Sequence, residues 1–202
     1  MQNLRAAFRA YLYGGSDAPE VIFSNLPELE TPHLLLRMLK RSDARDIFEY
    51  ARDPEVARHV LWDAHRSIED SREYIRYVRR LYKEGLPSVY GICLKDTGKL
   101  IGTIAFVWYS PENRSAEIGY SLGKAWWGKG YATEALRAVL ELGFDRLKLH
   151  RAEAMHETDN PASGRVMEKC GMRPEGVLRG RVYNKDHFSD VRLYALLEED
   201  RK

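Results

Sequence analysis

The chain has 202 residues, 44% hydrophobic and 31% charged, enough to close one core and without the Pro, Gly or Ser excess of a disordered chain. Lysine and arginine total 32 against 30 acidic residues, and a net charge of +2 excludes the broad basic field that grips nucleic acid. No apolar run approaches the ~20 residues of a membrane span, and the two distant cysteines, Cys93 and Cys170, read as reduced thiols of a cytoplasmic protein.

Residues 1–30 read as an N-terminal extension: a short helix through Tyr13, a Gly-Gly-Ser break at 14–16, then a polar link. Its arginines are spread among apolar residues, unlike the separate regions of a secretory signal. Residues 31–202 read as one domain. Leu34 to Met38 form a strand, Ser42 stands as the N-cap of a helix carrying Ile47, Phe48 and Tyr50, and Asp53-Pro54 starts a short helical piece. Ser67 to Tyr82 has helical spacing, with RYVRR at 76–80 on a solvated face.

The period then changes to that of strands. SVYGICLK and KLIGTIAFVWY flank a turn at Asp96–Lys99, and AEIGYSL follows a polar turn. Helical spacing resumes after Gly130. RAEAMHE is the next strand, Asn160-Pro161 caps and opens a helix that Gly171 closes, and VLRGRVY with DVRLYALL makes a final hairpin.

The stretch AEIGYSLGKAWWGKGYATEAL joins a strand, a glycine loop and a helix without a gap. Free N–H groups and the helix dipole at such a junction favour anions, and Gly128 and Gly130 admit a phosphate without a Cβ in the way. Two nucleotide motifs fail here. Gly123 to Lys129 matches G-x-x-x-x-G-K, yet Gly130 stands where a P-loop needs Ser or Thr, and G-x-G-x-x-G breaks at Thr133.

The run WGKGYATEA at 127–135, EIGY at 117–120, Asn160 with Ser163, and EKCGM at 168–172 resemble the GNAT superfamily of N-acetyltransferases. The likeness is to its branch of ribosomal-protein N-terminal acetyltransferases, RimJ/RimL. It runs from about Thr31 to Leu197. Ala125 stands where the superfamily's loop, Q/R-x-x-G-x-G/A, has Gln or Arg, and Met172 where the branch has an aromatic residue. The resemblance implies an α/β (α+β) fold: one mixed, mostly antiparallel sheet of about seven strands, flanked by about four helices and splayed between its fourth and fifth strands. It implies acetyl-CoA as cosubstrate, held by Leu122, by Trp127, Gly128, Lys129, Gly130, Tyr131, Ala132 and Thr133, and by Asn160 and Ser163.

Direct transfer needs a neutral amine, a polarised carbonyl and a proton for the leaving sulfur. Glu117 is the candidate base, on the strand face it shares with Gly119 and Ser121. Ser163 is the candidate proton donor, and a backbone N–H near Leu122 the candidate oxyanion contact. His156 beside Glu157 and Asp159 lacks metal-site spacing, so no metal is expected. The acceptor is expected to be a primary amine, a protein N-terminus or a small molecule, with no nucleic acid or membrane partner. A non-catalytic acyl-CoA-binding module and a homodimer through exposed strand edges stay open.

Overall fold

The computed structural model describes residues 18–201. The helix expected through Tyr13 and the Gly-Gly-Ser break lie outside the described residues. A helix α1 (Pro19–Ser24) leads into β1 (Leu29–Glu30) and β2 (Leu34–Met38). Ile22, Phe23 and Leu26 from this first segment, read from sequence as part of an extension, are buried in the common core. Helices α2 (Ala44–Ala51), α3 (Pro54–Ala57) and α4 (Ile68–Glu84) follow, then β3 (Val89–Leu94), β4 (Leu100–Ser110) and β5 (Ser115–Leu122). Helix α5 (Tyr131–Asp145), β6 (Arg151–Glu157), α6 (Pro161–Lys169), β7 (Arg173–Asn184) and β8 (His187–Leu197) complete the chain.

The described strands form one eight-stranded sheet in the order β1-β2-β3-β4-β5-β6-β8-β7, antiparallel except between β5 and β6. The strand beyond the expected seven is β1, whose two residues carry no readable alternation. Helices α2, α4, α5 and α6 are the four longer ones; α1 and α3 are six and four residues long. Helix α4 forms because Ser67 caps Glu69 N–H at 3.2 Å and Asp70 reaches back to Ser67 N–H at 3.0 Å, while Ile75, Val78 and Tyr82 line its buried side. Arg76, in the RYVRR run, stays on the surface and pairs with Glu69 and Glu73.

Two local expectations are corrected. Ser42 does not cap α2: residues 41–43 form a 3-10 turn, and Asp43 accepts from Lys40 N–H at 2.7 Å and from both terminal nitrogens of Arg37 at 2.8 Å. A carboxylate satisfies the backbone donor and a guanidinium together, which a hydroxyl cannot. Strand β7 starts at Arg173, four residues ahead of VLRGRVY. Pro174 and Gly176 resemble strand breakers but sit at a bulge, where the ladder tolerates them. The hairpin tip turns on Lys185 and Asp186, both at positive φ (49° and 64°), as a two-residue turn matching the twist of its strands requires.

Helices α5 and α6 cover one face of the sheet and α2 and α4 the other. A Cβ on Gly143 of α5 would reach 3.7 Å from the Phe106 ring, whereas Tyr50 of α2 and Tyr74 of α4 lie close to Thr103 on the opposite face. Side chains alternate along β5, so Ile118, Tyr120 and Leu122 face α5 and α6, and Glu117, Gly119 and Ser121 face α2 and α4.

Candidate active site

Strands β5 and β6 pair only at Ser115–Arg151, Ala116–Ala152 and Glu117–Glu153. Beyond Glu117 they diverge: β5 continues to Leu122 bound to β4, and β6 continues to Glu157 bound to β8. The result is the splay expected between the fourth and fifth predicted strands, a wedge whose walls keep unpaired backbone edges suited to an amide-bearing ligand.

The mouth of the wedge leads to the glycine loop. Gly128 and Gly130 have φ of 74° and 87°, and a Cβ on either would meet nothing within 4 Å. Glycine is therefore required by backbone conformation, and the space above the loop is open. Gly130 is the N-cap of α5 and offers no side chain to its first turn, leaving the N–H groups of that turn, at Tyr131, Ala132 and Thr133, uncapped. The two tryptophans shape the loop. Trp127 Nε1 donates to the Leu122 carbonyl at 2.7 Å, and Lys129 Nζ lies 4.7 Å from the centre of the Trp126 ring. Glu134, the acid of the WGKGYATEA run, turns away from the loop and ties α5 to the β1–β2 turn through Thr31 Oγ1, His33 N–H at 2.8 Å and His33 Nδ1 at 3.0 Å. It leaves the anion-favouring end free of a negative side chain.

Ser163 sits in the first turn of α6, against Tyr120. The Tyr120 hydroxyl donates to the Ser163 carbonyl at 2.9 Å and lies 3.0 Å from Ser163 Oγ. Since the carbonyl can only accept, Tyr120 gives it its one proton and accepts from Ser163. Burial pushes the Tyr120 phenol well above its usual range, so it stays neutral. Asn160 stands at the N-cap of α6 but makes no capping hydrogen bond, which corrects the expected side-chain cap. Beneath the helix, a Cβ on Gly164 would fall 2.7 Å from His156 Nε2 and 3.0 Å from the Tyr194 hydroxyl, so α6 rests directly on the sheet.

Glu117 lies on the opposite face, at the apex of the wedge. Burial raises its pKa, the Trp108 indole at 2.6 Å opposes this, Glu153 raises it further and Arg181 lowers it; the net direction is upward. Above the same face, Tyr50 and Tyr74 lie close to Thr103, and Tyr50 also to Ser121. Burial pushes Tyr74 up to about 12. These neutral hydroxyls roof the floor formed by Gly119 and Ser121.

The other candidates settle elsewhere. His156 is buried with Nδ1 at 2.7 Å from the Glu157 carbonyl, apart from a cluster in which His59 meets Glu157 (2.7 Å) and Asp159 (3.5 Å). Asn184 completes that cluster by donating to Glu157 at 2.8 Å. Tyr194 is core, Tyr183 packs edge-on against Phe188 at the hairpin tip, and burial raises the Cys170 thiol to about 11 beside α5. Trp108, Tyr50, Tyr74 and Glu153 are functional neighbours that sequence reading passes over. Trp108 reaches Glu117 only through a bulge in β4, and the tyrosines look like ordinary apolar-face residues of their helices.

A wedge that exposes strand backbone and an uncapped glycine loop at its mouth suit a ligand with an amide arm and a phosphate end. Comparison with known proteins agrees. Residues 33–173 match the model of the acetyltransferase (GNAT) domain. The uncharacterized N-acetyltransferase p20 of Bacillus licheniformis is 34% identical over 85% of this chain and 97% of its own length. The ribosomal-protein-serine acetyltransferase of Escherichia coli is 33% identical over 64% of this chain and 72% of its own. A GNAT-family acetyltransferase structure from Bacillus anthracis superimposes with a TM-score of 0.77 at 31% identity, covering 86% of this chain and 99% of that one. The chain belongs to the GNAT acetyltransferase family. It is an N-acetyltransferase.

Proposed function

We propose that the chain acetylates the α-amine of a protein N-terminus in the cytoplasm, by direct transfer in a ternary complex. The observation that carries this is the wedge itself: it opens immediately after Glu117, with Glu117 on one face of β5 and Ser163 beside the other. An acceptor entering under Tyr50 and Tyr74 and a donor lying along α5 and α6 meet in the gap between the strands. The likeness to the Escherichia coli ribosomal-protein-serine acetyltransferase supports a protein acceptor.

The residues fit the donor. The uncapped N–H groups of Tyr131, Ala132 and Thr133, with the cleared space over Gly128 and Gly130, suit its pyrophosphate, and Lys129 adds charge there. The β5 edge to Leu122 and the Asn160 amide suit its amide arm. Acetyl-CoA supplies an acetyl group activated as a thioester. Glu117 takes the proton of the attacking amine, whose α-amine pKa near 8 keeps a useful neutral fraction. Ser163 gives its proton to the departing sulfur, turning its hydroxyl away from Tyr120. The backbone near Leu122 supplies the oxyanion contact, and Trp127 steadies that residue by binding its carbonyl.

The test is thiol release from acetyl-CoA with peptides beginning Ser, Thr or Ala, set against free primary amines, with product mass confirming the acetylated nitrogen. Turnover of the peptides supports the proposal. Turnover of small amines alone moves the acceptor to that class, and binding of acetyl-CoA without release to any acceptor leaves only a non-catalytic module.

A further inference from the structure

The last rung between β5 and β6 sets two carboxylates side by side. Parallel pairing places Glu117 opposite Glu153, and partners on adjacent strands project from the same face roughly 5 Å apart. Glu153 has a counter-ion of its own. Arg151 Nε donates to Glu153 Oε1 at 2.6 Å, and the same guanidinium grips both carboxylate oxygens of Glu175 on β7, at 2.7 and 2.5 Å. Glu117 is bonded by the neutral Trp108 indole instead. Of two adjacent carboxylates, the one without a bonded cation is the one that holds a proton more readily.

We propose that Glu153, anchored by Arg151, is a positioning residue that sets the basicity of Glu117, so that the closing rung of the wedge presents a base matched to an amine. The inference rests on Glu117 acting as the base. A carboxylate of ordinary strength is a weak acceptor for an amine proton, and a neighbouring fixed charge brings it nearer the working pH. In the step concerned, an N–H bond of the attacking amine breaks, an O–H bond forms on Glu117, and the proton passes to solvent after turnover. The groups that act on Glu117 are Glu153 from β6, Arg181 from β7 and Trp108 from β4, with Arg151 and Glu175 behind Glu153. Burial raises Glu117 most, and Glu153 adds to it against the pull of Trp108 and Arg181.

The experiment follows the Glu117 carboxyl carbon by NMR titration of the full chain without substrates, assigned with E117Q, alongside the pH profile of kcat/KM. E153Q removes the neighbouring charge and moves both the Glu117 titration and the acid limb down by about one pH unit. Arg151→Met strips Glu153 of its counter-ion and moves them up, and E153D, which keeps the charge, holds them near the wild-type position. A purely structural role cannot produce shifts of opposite sign. Should E153Q fail to fold, Arg151→Met carries the test alone. If neither substitution moves the Glu117 titration, the inference is overturned. If both move it but E117Q keeps the acid limb, the coupling stands and Glu117 as base does not.

Discussion

Replacing Gly164 with alanine tests how α6 is held over the wedge, because two effects of opposite sign compete. Exposed glycine in a helix interior costs about 1 kcal/mol relative to alanine, so propensity alone makes Gly164→Ala stabilising. The new methyl group, however, falls 2.7 Å from His156 Nε2, 3.3 Å from its Cδ2 and 3.0 Å from the Tyr194 hydroxyl. His156 cannot step aside: it is buried, its Nδ1 bonds the Glu157 carbonyl, and its ring packs on Tyr194 with centroids 5.6 Å apart. Forcing a methyl into such a site costs about 1–3 kcal/mol. Sterics outweigh propensity, and the variant loses up to about 2 kcal/mol net. For a chain of this size that lowers Tm by up to about 8 °C. Thermal unfolding followed by circular dichroism measures it, and Gly164→Ala should cost less in a His156→Ala background than in the wild-type chain. The displaced helix also carries Ser163, so kcat falls while acetyl-CoA affinity changes less. A rise in Tm for the single variant would refute the close seating of α6 on the sheet.

Glu117→Gln should lower kcat by about 100-fold or more with acetyl-CoA affinity retained, checked by steady-state kinetics and calorimetry. The same variant should melt higher at neutral pH. The folded pKa of Glu117 lies above its unfolded value, so the charged form weighs against folding above the ordinary carboxylate range, and the gain should vanish as pH falls below that range. Gly128→Ala and Gly130→Ala each force a residue at positive φ; each should lower Tm by about 2–8 °C and weaken acetyl-CoA binding in a calorimetric titration. Tyr120→Phe removes the acceptor of the Ser163 proton and the tie to the Ser163 carbonyl, and should alter kcat more than the KM for acetyl-CoA. Burial pulls Glu157 upward, but hydrogen bonds from Asn184 and His59 outweigh it and hold its pKa below the usual range. Its stabilising contribution is therefore present above that range and lost as pH falls through it, so Glu157→Gln should flatten the acid limb of a Tm-versus-pH curve.

Residue order alone places several of these groups. Period-2 alternation in AEIGYSL sets Glu117, Gly119 and Ser121 on one face, and β5 carries them so. The strand RAEAMHE is legible to the residue because its bounds coincide with a turn and the start of a helix. The glycine loop is legible as an anion site because backbone freedom and helix ends are local properties. Local signals also mislead: Asn160-Pro161 has the composition of a capped helix start, yet its side chain makes no cap.

Tertiary structure decided what depends on register and on contact between distant segments. Only pairing shows that β5 and β6 part after Glu117, that a bulge brings Trp108 onto that carboxylate, and that Glu153 stands beside it with Arg151 and Glu175 as its anchor. His59, nearly a hundred residues from Glu157 in the chain, meets that carboxylate only in the folded protein. Periodicity says which way a side chain points. What it meets there is set by strand order, bulges and the seating of α6, which arise from the packing of the whole sheet and leave no trace at the position itself.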